Sequence, residues 1–516
     1  MIPKLTRRSF LEKGSKTLAS AMLVPAFFTA ATQDAFAVPN HGPGMPGASF
    51  DHFGVDETVI RSVLAKGLSR GASYCDLYFE HRVSNFIMLE DQSVNQAYGS
   101  VDLGVGIRVL KGDQTGFSFT EDLSPKAMKQ AAATAAGIAD TSKKTAPGPL
   151  YFQTSPNYYR IEPSWETVKI HEKIPVLTSL NQKVHSLDRR ILKSSVTFRD
   201  ASSHILMADS LGRVTCDHRP MAMIRVSCVA RDKGKTEQNH AGLSGRNGMA
   251  LFTENALDKL AKQVVRRTCD LFEAVPAAGG QMEVVLAPGH SGILLHEAIG
   301  HGLEADFNRK KTSVFSEKMG QKVARDFVTI VDGGTRPHAR GSLNVDDEGN
   351  AVEETVLVEN GRLESYLHDR ISAAHYKVAP TGNGRRQSFR HPVMPRMRNT
   401  YMLPGPHKPG EIIQSVKKGL YAETFSNGQV LIGAGDFTFF VKSGALIENG
   451  RITRPIKDVN VIGNGPKVLE DIVMVADDLK FHHGGGTCGK NGQWVPVSMG
   501  LPTVKVSAMT VGGTQG

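Results

Sequence analysis

The sequence predicts an α+β protein, with two mixed helix/antiparallel-strand units at the N-terminal end and a β-rich C-terminal domain. Two observations lead there. Apolar spacing switches from helical to alternating and back again twice between residues 57 and 275. Beyond residue 280 alternating runs are joined by asparagine–glycine and other glycine turns, in a chain of 516 residues that carries 52 glycines and 25 prolines but only 7% aromatics. With 40% hydrophobic residues, a chain of this length buries more than one core and divides into two or three domains.

Taken in order, the segment "ETVIRSVLAKGLSRG" spaces Val59, Ile60, Val63, Leu64 and Leu68 for one helical face. The alternating stretches "YCDLYFEHRVSNFIML" and "VDLGVGIRVLKGDQTGFSF" read as strands, and "SPKAMKQAAATAAGIAD" reads as a helix capped by Ser124. These make a unit spanning 38–145. After a linker around "TSKKTAPGPLYFQTSPN" the plan recurs over 160–275. There, "SWETVKIHEKIPVLTSLNQKVHSLD" is a helix, Ile191 to about Ala241 forms antiparallel strands, and "LFTENALDKLAKQVVRRTCDLFEA" is a second helix. The remaining stretch, 280–516, holds "VLVENGRLESYLHD" and "ALIENGRITRPIKD". In both, Asn-Gly sits between apolar alternating runs as a hairpin turn does.

Residues 1–37 follow a different logic. "TRRSFLEKG" is basic, "TLASAMLVPAFFTAA" is apolar but too short to span a membrane, and "AFA" precedes Val38. Together they predict a removable export signal, and the pair Arg7-Arg8 followed by Phe10-Leu11 resembles the twin-arginine type. The expectation is a protein exported folded to the periplasm, with no stable membrane anchor once processed.

Three of the ten net positive charges lie before Ala37, and the rest are scattered among mixed charges without a basic run. That pattern lacks the electrostatic footprint of a nucleic-acid binder. Five cysteines, Cys75, Cys216, Cys228, Cys269 and Cys488, are odd in number and widely spaced, which excludes a disulfide scaffold. No G-x-S-x-G elbow, P-loop or G-x-G-x-x-G before a helix is present.

The stretch with chemical content is "LLHEAIGHGLEAD", Leu294 to Asp306. It pairs His296 with Glu297, as zinc hydrolases do, but His301 follows His296 by five residues instead of four. Side chains at i and i+4 of a helix lie about 40° apart, whereas those at i and i+5 lie about 140° apart. Two histidines so placed share a metal only if the helix carries a one-residue π-bulge or breaks before His301, which Gly300 and Gly302 would ease. Glu297 is then the candidate general base. Candidates for a third ligand are Glu304 and Asp306 nearby, or His482, His483 and Cys488 in the remote "FHHGGGTCGKNGQ". Arg385, Arg386, Arg390, Arg396 and Arg398 crowd a proline-rich loop, and suit either a substrate carboxylate or a solvated charged surface.

"LLHEAIGHGLEADFNRK", "PRMRNTYMLPG", "ENGRITRPIKDVNVIGNGP" and "GTCGKNGQWVPVSMGLP", in this order between Leu294 and Pro502, resemble the TldD/PmbA family of metalloproteases. The resemblance implies that 280–516 is the metallopeptidase domain. By the same resemblance His296, His301 and Cys488 hold Zn2+ and Glu297 activates the water. It further implies the H-E-x-x-x-H-bearing, TldD-type subunit, acting on unstructured peptides or peptide precursors with low sequence selectivity. Such a subunit works as a heterodimer with a TldE/PmbA-type partner or as a homodimer. A competing class is a non-catalytic peptide-binding or assembly subunit with a structural metal. A modulator of a nucleic-acid enzyme fits less well, because no basic stripe is present.

Overall fold

The computed structural model describes residues 46–141 and 145–513. The export signal read over 1–37 lies outside the described residues. The chain is α+β, built on one long antiparallel sheet and a β-rich C-terminal region.

Helices α1 (Pro46–Phe53) and α2 (Glu57–Leu68) lead into strands β1 (Tyr74–Glu90), β2 (Ser93–Lys111) and β3 (Gln114–Thr120), then α3 (Pro125–Ala135). The recurrence supplies α4 (Ile170–Leu187), β4 (Ile191–Asp209), β5 (Arg213–Asp232), β6 (Lys235–Gly245) and α5 (Glu254–Cys269). Side chains of Asp56, Ser124 and Thr253 accept from backbone N–H groups of the first turns of α2, α3 and α5, satisfying donors that the helices leave open.

The two units do not form separate sheets. β1 pairs antiparallel with β4 along fifteen positions, from Asp76↔Asp209 to Glu90↔Ser195, so the strands run in the order β3-β2-β1-β4-β5-β6. Period-two alternation then divides the sheet into two faces. Cys75, Leu77 and Phe79 of β1, with Leu206 and Ala208 of β4, pack with the residues of α2 and α3. Farther along the same face, Ile87, Leu89 and Phe198 pack with those of α4 and α5.

The opposite face carries the C-terminal region. Tyr78, Ile205 and Met207 pack there against Val345 and Phe389. Phe389 fits because Gly104 and Gly106 alternate on that face; a Cβ at Gly104 would overlap the Phe389 ring. Arg108, fully buried on the same face, lies 2.5 Å from Asp76 and 2.7 Å from Glu348. Arg219 likewise joins Asp217 at 2.6 Å and Asp347 at 2.5 Å.

In the C-terminal region, Lys418–Leu431, Gly280–Leu286, Val504–Gly512, Val459–Asn464 and Asp436–Glu448 pair in turn and close into a ring. Both ENGR segments are hairpin turns, with Asn360 and Gly361 at φ 47° and 77° and Asn449 and Gly450 at φ 50° and 75°. Among the described residues, no helix is long and apolar enough to cross a membrane.

Removing Arg108 leaves Asp76 and Glu348 buried without their guanidinium. Arg108→Ala is expected to destabilise the fold by about 3–5 kcal/mol, read as a lower urea midpoint; an unchanged midpoint would show the cluster to be dispensable.

Candidate metal centre

The helical run from His290 to Leu303 changes pitch three times: 3-10 over His290–Gly292, α over Ile293–Leu295, π over His296–Gly300 and 3-10 again over His301–Leu303. The His301 N–H donates to the His296 carbonyl five residues back, which is the π-turn hydrogen bond. The turn rotates His301 onto the face of His296, and the two ring centroids lie 5.0 Å apart. Leu294, Leu295, Ala298 and Ile299 anchor the run in the C-terminal core. Close packing holds the wide turn on two sides, because a Cβ at Gly300 would overlap Met397 Sδ and one at Gly465 would overlap the Ala298 carbonyl.

Cys488 arrives from a different layer. It lies on the strand Gly486–Lys490, which pairs with Gln493–Leu501 through a third Asn-Gly turn, Asn491 and Gly492 at φ 49° and 73°. Alternation along this strand turns Cys488 and Lys490 inward and Thr487 and Gly489 outward. Cys488 Sγ sits 3.4 Å from His301 Nε2. One ligand atom from each of His296, His301 and Cys488 lies within 4.8 Å of the others. Burial pushes the Cys488 thiol up, but the neighbouring His296 and His301 imidazoles outweigh it and bring it well below the usual thiol range.

Glu304 is fully buried behind His301, its Oε2 2.9 Å from His301 Nδ1. That contact leaves Nε2 directed at the cluster, the arrangement in which a carboxylate orients a ligating histidine. Burial pushes the Glu304 carboxyl up, but the Lys490 ammonium at 3.1 Å, followed by His301, brings it down to about 2. Lys490 also reaches Asp306 Oδ1 at 2.7 Å. Neither Glu304 nor Asp306 is therefore placed as a third ligand; the first orients His301 and the second holds Lys490. His482 and His483 line the adjoining cavity, and His482 packs edge-on against His290 with centroids 4.3 Å apart.

Arg385, Arg386, Arg396 and Arg398 of the arginine loop are buried, Arg390 is partly exposed, and none of the five borders the adjoining cavity. Arg396 donates to the Cys488 carbonyl at 2.6 Å, Arg385 to the Met397 carbonyl at 2.6 Å, and Arg398 to Asp332 at 2.9 Å. Arg386 bonds the Asp347 carbonyl, and Arg390 reaches Asp102 of β2 and Glu121 just after β3. The loop thus braces the cluster from behind, a role that only buried carbonyl partners could reveal.

The donor set suits a metal ion. Neither ring nitrogen of the buried His296 has a hydrogen-bond partner among the described residues, and two imidazoles with a thiolate are sound zinc donors. Glu297 Oε2 lies 3.9 Å from His301 Nε2, with its side chain 19% exposed. Glu297 and His296 both face a cavity of about 1080 Å³ between the C-terminal region and the sheet, bordered by Arg82, Phe86, Met223 and Phe425.

Three domains of the PmbA/TldA metallopeptidase family match along the chain: domain 1 over residues 75–139, the central domain over 163–272 and the C-terminal domain over 279–513. A metalloprotease TldD homolog of Haemophilus influenzae is 39% identical over 453 residues, covering 86% of this chain and 94% of the relative. A zinc metalloprotease TldD homolog of Saccharolobus solfataricus is 29% identical, covering 87% and 99%. The crystal structure of TldE from Thermococcus kodakarensis shares the fold, with a TM-score of 0.70 at 17% identity over 88% of this chain and all of that one. From its first strand to its last, the chain belongs to the PmbA/TldA metallopeptidase family.

Proposed function

We propose that the protein is a zinc-dependent peptidase of the H-E-x-x-x-H-bearing, TldD type that cleaves unstructured peptides with low sequence selectivity. The observation that carries this reading is the pairing of three buried donors, His296, His301 and Cys488, with a cavity-facing carboxylate, Glu297. Three protein donors would leave a coordination position open, as hydrolytic sites require. When bound there, zinc supplies a Lewis acid that polarises a peptide carbonyl and acidifies water. Glu297 takes the proton from the attacking water on its carboxylate and hands it to the leaving amine. Glu304 keeps His301 Nδ1 engaged through the cycle and so preserves the direction of Nε2.

The cavity supports an extended substrate. β6 lies at an edge of its sheet, where the His483 carbonyl takes the Ser244 N–H, and Asn239 to Ala241 border the cavity beyond that contact, so a peptide can add alongside by largely sequence-blind backbone pairing. Basic side chains outnumber acidic ones around it, Arg82, Arg199, Arg225, Arg340 and Lys480 among them. Such a lining favours peptides with acidic side chains or a terminal carboxylate. The family resemblance further supports a working assembly with a TldE/PmbA-type subunit or a second copy of this chain. The basic, then apolar, then A-x-A pattern of residues 1–37 supports export. Native mass spectrometry of the exported protein tests both, by subunit composition and by a mature terminus after Ala37.

Glu297→Gln is expected to keep its metal and lose about 10²–10⁴-fold in peptide turnover; full turnover with metal bound would remove Glu297 from the role of base. Glu304→Gln should cost about 10–100-fold in metal affinity, measured by competition with a chromophoric chelator, while Asp306 still holds Lys490. For an acidic peptide, raising salt from low to physiological strength should raise KM with little change in kcat; a KM indifferent to salt would exclude electrostatic capture.

A further inference from the structure

A second group of metal-ligating side chains lies on the helix-bearing face of the long sheet, away from the cavity. His81, His204 and His218 occupy directly opposed positions on β1, β4 and β5, so three imidazoles stand in a row across the strands. The row falls between the two apolar cores of that face: Phe79 and Leu206 belong to one, Ile87 and Phe198 to the other. His204 and His218 stack with centroids 4.5 Å apart. From α1, His52 leans over the row, with Nε2 2.9 Å from His81 Nδ1 and its ring centroid 4.4 Å from that of His204.

Glu166, from the segment before α4, closes the group with Oε1 2.7 Å from His204 Nε2. One ligand atom from each of Glu166, His204 and His218 lies within 4.8 Å of the others. Ser202 joins the group through contacts of 2.6 Å to His218 Nε2 and 2.7 Å to Glu166 Oε1. Imidazoles beside one carboxylate are the donor set of zinc, copper and nickel.

We infer that Glu166, His204 and His218 form a second metal site, for a divalent ion of the zinc, copper and nickel class, with His52 beside it. Its ligands come from three places in the sequence, so the ion ties the segment before α4 to β4 and β5 and seals the polar seam between the cores. Nothing there faces the cavity, so its part is structural.

The test uses the untagged full-length chain, stripped of metal and dialysed against Co2+ and, separately, Zn2+, with metal counted by elemental analysis. Two equivalents per chain are expected, and one of the two cobalt ions should show ligand-field absorption without a thiolate charge-transfer band. His204→Asn should weaken that equivalent about tenfold or more and leave the thiolate band unchanged. Glu166→Gln, at a partly exposed carboxylate, should do the same without disturbing the fold. Uptake of the thiolate-linked equivalent alone, or a second equivalent indifferent to both variants, would overturn the inference.

Discussion

The hydrogen bond from the His301 N–H to the His296 carbonyl is the constraint on which the metal centre depends. On a regular α-helix, His301 would turn away from His296 by about 140° and could not meet Cys488. One residue of extra winding removes that mismatch. A π-turn leaves a wide, poorly packed ring, so it persists where neighbours hold it. Met397 presses on Gly300, the backbone of Gly465 lies against Ala298, and four apolar side chains pin the flanking turns in the core. The same packing that makes the turn tolerable makes it rigid, which suits three donors that must converge within a few ångströms.

The second ordering principle is the two-sidedness of the long sheet. Odd positions of β1 and even positions of β4 and β5 meet the helices, while the intervening positions meet the C-terminal region. Each side chain of β1 from Cys75 to Glu80 is thereby buried on one face or the other. Apolar residues suffice against the helices, but charge pairs hold the other side. Arg108 and Arg219 each bridge carboxylates of the sheet and of the C-terminal region. Buried pairs of this kind contribute less to net stability than their short distances suggest, since desolvation opposes them. They do penalise any slip of one part against the other, and so favour one seating of the C-terminal region on the sheet.

Much of the fold was legible because its signals are local. The caps at Ser124 and Thr253, the helical spacing of Val59 to Leu68 and the Asn-Gly turns act within a few residues. The turn at Asn491-Gly492 carries the same signature, and it could have placed Cys488 on an inward-facing hairpin position from sequence. The pairing of β1 with β4 was not legible, since nothing in either strand specifies a partner more than a hundred residues away. Nor was the burial of the arginine loop: in sequence, Arg385, Arg396 and Arg398 resemble any charged cluster, because backbone carbonyls leave no mark in residue identity.

By itself the sequence determined the alternation of helix and strand, the turns, the family, and a geometric condition on "HEAIGH": the helix must widen or break. The family follows from the resemblance of four motifs in order, and the rest from periodicity and steric limits that each residue carries with it. Only the tertiary structure decided which outcome met the condition, and that Glu304 stands behind His301 while Cys488 stands in front. It also decided that His81, His204 and His218 form one row. Relations between residues distant in sequence depend on register and on which faces are buried together, and these arise from packing the whole chain at once.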